Sequence, residues 1–427
     1  MNTLSRRQFL TALGGTAVSG LLAFPVASTG TYKARVVVVG GGYGGATAAK
    51  YLRLADPRIE VILIEKDKKF ISCAGSNEGL AGVRSLASLS FDYEPLSSFY
   101  GVNVVHDEVT RIDATKRLVL TRNGQALGFD RLIIAPGVNF KWNAIEGYGK
   151  AAAQLLPHAW NAGEQTLLLR RQLEAMPDGG KVYITVPPKP YKCPPAPYER
   201  AALIAHYLKQ HGKRRSKIII LDSKDNFTKQ ALFEQGWERH YPGMISWVPA
   251  SADGRVLRVD ANKRTLYTEF EVHKGDVVNV IPPQKAGAVA EQAGLTDDQG
   301  WCPVDQHTFE SSNREHVHVI GDACIAGTMP KSGYSANSQA KVCAAAIGAL
   351  IDGAEPPLPS YINTCYSIIA PDYGISVAAV YRLEKGKIVS VEGAGGTSPL
   401  DASAWERKME ATYARSWFDN ITADIFG

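Results

Sequence analysis

The chain has 427 residues, 45% hydrophobic and 21% charged, which is ordinary for a globular protein and long enough for two or three domains around a large core. Its formal net charge is +5, two units of it on Arg6 and Arg7, with no basic run interleaved with aromatics, which is too weak a bias to argue for nucleic acid, and no nucleic-acid partner is expected. The one uncharged apolar stretch, residues 10–24, is short for a membrane span, and stable membrane insertion is not expected.

Residues 1–30 read as an export signal. Arg6-Arg7 stand within "SRRQFL", a Gly- and Ala-rich apolar stretch runs from Leu10 to Phe24, and small residues gather near Val26-Ala27-Ser28. A twin arginine ahead of a mildly apolar segment matches the twin-arginine route. That route carries folded proteins.

Residues 34–67, "ARVVVVGGGYGGATAAKYLRLADPRIEVILIEKD", predict strand, glycine turn, helix and strand. The first strand is a continuous β-branched run, as a buried parallel strand should be. Gly40, Gly42 and Gly45 fit GxGxxG, and Glu65, with Lys66 beside it, closes the second strand 20 residues past Gly45. Gly40 permits the tight turn, Gly42 lets backbone approach a pyrophosphate, and Gly45 lets helix and strand pack closely. The helix N-terminus then stabilises phosphate charge, and Glu65 can accept from ribose hydroxyls.

Next comes "FDRLIIAPG" (129–137), a strand ending in Ala135-Pro136-Gly137. A second βαβ-like region follows: strand "KVYITVP" from Lys181, helix "YERAALIAHYLKQHG", strand "SKIIILDS". Its connecting loop holds six prolines around Cys193, in "VPPKPYKCPPAPYER". Proline has no N–H to donate, so this loop cannot cradle a pyrophosphate with backbone amides. A pyridine-nucleotide reductase is therefore disfavoured. Further on, "EHVHVIGDACIAG" (315–327) is a strand ending in Gly321-Asp322, and a helix begins near Ser332. The last 25 residues carry Trp405, Met409, Tyr413 and Trp417 at four-residue spacing, which reads as a helical stripe covering core or a partner. Glu406, Glu410, Asp419 and Asp424 argue against an anionic lipid surface there.

The six cysteines include no CxxC and no CxxCH, which disfavours a zinc ribbon, a thioredoxin-like pair and a covalent haem. The histidines show no HExxH spacing, and no metal site is expected. Cys302, Cys324 and Cys343 read as structural.

The order of glycine turn and Glu65, strand with Ala-Pro-Gly, then strand with Gly-Asp and helix resembles the two-dinucleotide-binding-domain flavoproteins, the disulfide reductase superfamily. The resemblance implies an α/β fold: two Rossmann-like domains plus a C-terminal α+β interface domain. It divides the chain into signal (1–30), a discontinuous FAD-binding domain (31–145 and 285–350), a second Rossmann-like domain without the nicotinamide loop (146–284), and a C-terminal domain (351–427). Gly40, Gly42, Gly45, Glu65 and Lys66 would hold the ADP half of FAD. Ala135 to Gly137 would pack on the cofactor, Asp322 would bind ribityl hydroxyls, and Lys331 would stand near the flavin at a helix start that favours the reduced, anionic ring.

Three stretches narrow the match: "CPPAPYERA", "PKSGYSANSQ" and "INTCYSIIAPDYGISVAAVY". They resemble the flavoprotein subunit of flavocytochrome c sulfide dehydrogenase, a periplasmic family, over residue 34 to the C-terminus. The resemblance implies a redox-active disulfide between Cys193 and Cys365 beside the flavin, and a covalent link from Cys73, in "FISCAGSNE", to FAD. It implies hydrosulfide as substrate, opening the disulfide by exchange, and a separate c-type cytochrome subunit as electron acceptor. Glu199, six residues past Cys193, either assists proton transfer or pairs with a cation. Two rivals stand beside this reading. One is a sulfide:quinone oxidoreductase of the same superfamily. The other is a non-catalytic, FAD-holding sulfur carrier.

Overall fold

The computed structural model describes residues 32–427. The export signal expected at 1–30 lies outside the described residues. From Lys33 on, the chain forms one unit built on two parallel sheets and an antiparallel meander.

The first sheet has six strands in the order Glu310–Ser311, Arg314–Val319, Arg131–Ile134, Ala34–Val39, Ile59–Ile64, Asn103–Val105. All its pairings are parallel except that of the short edge strand Glu310–Ser311. Its central strands are continuous Val/Ile/Leu runs and are buried on both faces, as an α/β sheet requires. The helix Tyr43–Ala55 crosses between Ala34–Val39 and Ile59–Ile64 and packs on the helix Gly333–Ile351. The second sheet has four parallel strands, in the order Ile245–Val248, Lys217–Asp222, Lys181–Val186, Val277–Val280. The helix Ala196–Gln210 connects Lys181–Val186 to Lys217–Asp222.

The C-terminal block is a meander of Ser360–Ala370, Tyr373–Glu384 and Lys387–Thr397, followed by the helix Ala404–Phe426. A capping box, Ser403 with Glu406, starts that helix. It packs on the middle strand, where a Cβ at Gly374 would stand 2.5 Å from the Ala411 amide nitrogen. Asp424 ties the same helix to the helices Tyr43–Ala55 and Gly333–Ile351, accepting from Tyr51 at 2.6 Å and Asn337 at 2.9 Å.

The stripe expected to cover core or a partner divides: Met409 and Trp417 are half-buried, Trp417 against the first core, and the other two are open. Trp405 is 69% exposed and Tyr413 49%, while the buried face is Arg407, Ala411, Ala414, Phe418, Ile421 and Ile425. Steps of four residues rotate about 40° each around a helix of 3.6 residues per turn and leave any one face. The buried set alternates steps of four and three, which keeps one face toward the sheet. Among the described residues no helix is long and apolar enough to cross a membrane.

Candidate functional site

The glycine turn lies at the carboxyl end of Ala34–Val39. Gly40 has φ +98°, and a Cβ on it would stand 2.5 Å from the Ala135 carbonyl oxygen. A Cβ on Gly45 would come 1.8 Å from the Gly40 carbonyl oxygen. Both glycines are thus required by the protein's own backbone. Gly42 is not: its Cβ would meet nothing nearer than the Phe70 ring at 3.5 Å. Gly42 is the N-cap of Tyr43–Ala55 and that helix start has no side-chain cap, so its first-turn amides are not occupied by a side chain. Glu65 turns back on the turn, accepting from the Gly41 amide at 2.8 Å and the Asp67 amide at 3.0 Å. Lys66 is exposed and paired with Asp67. Gly137 has φ +61° just past Ala135, whose amide donates to Val39.

Asp322 stands at the end of the adjoining strand, in the turn Gly321–Ala323. Its Oδ1 is buried and has no hydrogen-bond partner. Burial pushes its carboxyl above the usual range, against the pull of Lys192 and Lys331. An unpartnered buried carboxylate oxygen is costly unless a bound hydroxyl completes it. Together with the uncapped helix start at Gly42, this fits a dinucleotide with a polyol chain. Lys331 does not point outward: its ammonium donates to the Asp322 and Cys324 carbonyls at 2.6 and 2.9 Å and lies 3.9 Å from the Trp301 ring centre. Ser332 caps the following helix, accepting from the Ser335 amide at 3.1 Å.

The proline loop ends against this region. Cys193 adopts φ +53°, and its amide donates to the Lys331 carbonyl at 2.7 Å. Burial pushes its thiol well above the usual range, with Cys365 and Glu199 adding to the effect. Cys365 comes in from the strand Ser360–Ala370, its sulfur accepting from Asn363 Nδ2 at 3.4 Å. All six cysteines are free thiols in this structure, so Cys193 and Cys365 stand as a dithiol. Glu199 lies in the first turn of Ala196–Gln210 and reaches the strand of Cys365: Oε1 accepts from the Ile368 amide and Oε2 from Asn77 Nδ2, both at 2.8 Å. Burial raises its carboxyl pKa. It pairs with no cation among the described residues.

The structure thus brings Cys193, Cys365, Glu199 and, through its carbonyl, Lys331 together. It also adds residues that the sequence did not single out. Lys192 Nζ stands 3.3 Å from Cys73 Sγ and donates to the Trp160 carbonyl at 3.0 Å. Burial disfavours its charge, but Cys73 and Asp322 outweigh that and raise its pKa. Arg200, fully buried, donates to Asn77, His158, Ala159 and Asn279 and holds the loops under the pair. Lys229 donates to the Cys365 carbonyl at 3.0 Å. The neighbour of Cys193 could have been flagged as a candidate; nothing local marks Lys229. Cys302, Cys324 and Cys343 are buried in the first core.

Comparison with known families agrees with this organisation. Residues 34–169 match the pyridine nucleotide-disulphide oxidoreductase family. Residues 166–282 match the central part of the sulfide dehydrogenase [flavocytochrome c] flavoprotein chain, and 357–426 the flavin-binding part of flavocytochrome c sulphide dehydrogenase. The sulfide dehydrogenase [flavocytochrome c] flavoprotein chain of Chlorobaculum thiosulfatiphilum is 60% identical over 43 residues, 10% of this chain and 90% of that one. The mitochondrial sulfide:quinone oxidoreductase of Dictyostelium discoideum is 22% identical over 329 residues, covering 72% of this chain and 69% of the relative. The crystal structure of the sulfide:quinone oxidoreductase from Aquifex aeolicus superposes with a TM-score of 0.72 at 17% identity, covering 92% of each chain. That likeness shows the shared two-domain fold.

Proposed function

The chain belongs to the family of flavocytochrome c sulfide dehydrogenase flavoprotein chains, and on that premise we propose that it oxidises hydrosulfide to polysulfide or elemental sulfur through Cys193 and Cys365 and passes the electrons to a c-type cytochrome subunit. The observation that carries the reading is that two cysteines distant in sequence, Cys193 and Cys365, lie close enough to interact electrostatically, with Glu199 reaching the strand that carries Cys365. FAD, when bound, supplies the two-electron chemistry and releases electrons singly. Gly42, Glu65 and Asp322 would hold it, and Cys73 would bond to it covalently.

The chain's own part is sulfur chemistry. Hydrosulfide attacks one sulfur of the oxidised pair; the S–S bond breaks and its electron pair stays on the other sulfur as thiolate. The attacked sulfur then carries a persulfide with the hydrosulfide's proton. The prolines stiffen the loop that holds Cys193, and Asn363 offers a donor to Cys365. Glu199, with its pKa raised by burial, exchanges a proton with the sulfur species more readily near neutral pH than an exposed glutamate does.

The same reading takes the protein to be periplasmic and exported by the twin-arginine route. It carries the four-part division of the chain proposed from the sequence. A quinone acceptor is the second reading, favoured by relatives named sulfide:quinone oxidoreductase. The test is the visible spectrum of the purified protein after anaerobic sulfide, followed by oxidised cytochrome c or a soluble ubiquinone in separate samples. Flavin bleaching, with recovery only on cytochrome c, supports the proposal. Recovery only on quinone supports the second reading, and a spectrum that ignores sulfide overturns both.

A further inference from the structure

We propose that Lys229 is the fixed counter-ion of the sulfur pair, its ammonium balancing the negative charge that appears when the Cys193–Cys365 bond opens. The inference rests on the reading of that pair as a working disulfide.

Lys229 is placed at some cost. It precedes the helix Gln230–His240 in a left-handed conformation, φ +61°, which costs of order 1 kcal/mol for a residue with a side chain. A cation at a helix N-terminus also opposes the helix dipole. The side chain is only 7% exposed. It leaves the second sheet's domain and runs under the strand Ser360–Ala370, where Nζ donates to the Cys365 carbonyl at 3.0 Å and to Ser367 Oγ at 2.9 Å. Both acceptors are neutral, and among the described residues no carboxylate forms an ion pair with it. A buried cation held in this way calls for a compensating anion.

Four titratable groups face it: Cys193 from the proline loop, Glu199 from the helix Ala196–Gln210, Cys365 from the meander and Glu410 from the C-terminal helix. The carboxylates are committed elsewhere. Glu199 accepts from Ile368 and Asn77, and Glu410 from Ser376, Ser398 and Arg407. The two sulfurs remain. Burial lowers the pKa of Lys229, and Cys365 leads the groups that pull it back.

Charge bookkeeping then decides the role. The closed disulfide is neutral. Opened by hydrosulfide, it becomes one persulfide, which keeps the proton, and one thiolate, which keeps the electron pair of the broken bond. The pair gains one negative charge whichever sulfur is attacked. In a low-dielectric site a nearby fixed cation favours that state over the closed one.

The test needs no turnover. Full-length, FAD-containing protein is equilibrated in dithiothreitol redox buffers, free thiols are alkylated, and Cys193 and Cys365 are counted by mass spectrometry. Lys229→Gln keeps a donor and removes the charge. The equilibrium constant for opening the pair should fall about tenfold or more, about 30 mV for each tenfold in a two-electron couple. Lys229→Arg should restore it. Should the Gln variant fold poorly, Lys229→Met is read in the same way. An unchanged equilibrium constant overturns the inference alone. A wild-type protein that forms no Cys193–Cys365 disulfide in oxidising buffer overturns the sulfur-pair reading and this inference together.

Discussion

The two βαβ units share a topology and differ in one connection. In Ala34–Ile64 the strand turns into its helix through glycines; in Lys181–Asp222 it does so through prolines and a cysteine. The glycine turn leaves its helix start without a side-chain cap, and the helix dipole there favours an anion. The proline loop uses the amides it has. Lys192 donates to Gln284 at 2.8 Å, Cys193 to Lys331 at 2.7 Å, and Ala196 to Cys193 at 3.0 Å. The first turn keeps donors for a ligand, and the second uses its donors to hold a sulfur. In the proposed function a single fold element therefore serves cofactor binding or sulfur chemistry according to which backbone donors its loop leaves free.

The largest expected effect breaks the second half of that comparison. Cys193→Ser or Cys365→Ser should slow sulfide-dependent flavin bleaching by roughly a thousandfold or more, because the exchange step loses its sulfur, while flavin content stays the same. Stopped-flow absorbance with a flavin:protein ratio checks both parts. Normal bleaching in either variant would remove the pair from the reaction.

Gly45→Val attacks the first half. Its Cβ would collide with the Gly40 carbonyl, so the variant should lose about 3 kcal/mol or more in urea unfolding, or fail to accumulate. Gly42→Ala sharpens the contrast within the same turn. Its Cβ has room in the protein, so stability of the apoprotein should change by under about 0.5 kcal/mol. FAD affinity, measured by reconstitution of the apoprotein in a Cys73→Ser background that forms no covalent link, should fall about tenfold, one charge-assisted hydrogen bond's worth. Equal loss of stability in the two variants would mean that Gly42 serves packing rather than a ligand.

The smallest effect concerns the support under the proline loop. His158 is buried, its Nδ1 accepts from the Trp160 amide at 3.0 Å, and its carbonyl accepts from Arg200. Burial, with Arg200 and Lys192 nearby, lowers its pKa from 6.5 to about 3. A base whose folded pKa is depressed leaves the unfolded chain holding more protons between those values. Stability therefore falls as pH drops through 6.5 and continues to fall toward 3. At pH 5 the loss from this group is about 2 kcal/mol. His158→Asn, which keeps an acceptor near the Trp160 amide, should flatten the pH dependence of urea midpoints between 7 and 5. Parallel profiles would refute the assignment.

Much of the frame was legible because its causes are local. The β-branched run at Ala34–Val39, the strand at Lys181–Val186 and the helix beginning after Ser332 follow from side-chain periodicity and capping chemistry, and the structure has them where the sequence puts them. The C-terminal stripe, expected to cover core or a partner, turns only Met409 and Trp417 partly inward, whereas Arg407, Ala411 and Ala414 are what the sheet covers. The site was legible in its motifs and illegible in its partners. Cys193 announced itself by its prolines, but Lys192 against Cys73, Asn363 against Cys365 and the buried Lys229 carry no local mark.

By itself, the sequence determined the two βαβ units, the glycine turn with its terminal glutamate, and a proline loop unable to cradle phosphate. These depend on backbone sterics and on donors present or absent within a few residues. Only the tertiary structure decided that Lys229 reaches the strand of Cys365, that Lys192 stands against Cys73, and that Asp322 keeps an unpartnered oxygen. Burial and charge compensation depend on what arrives from elsewhere in the chain, and no local window contains it.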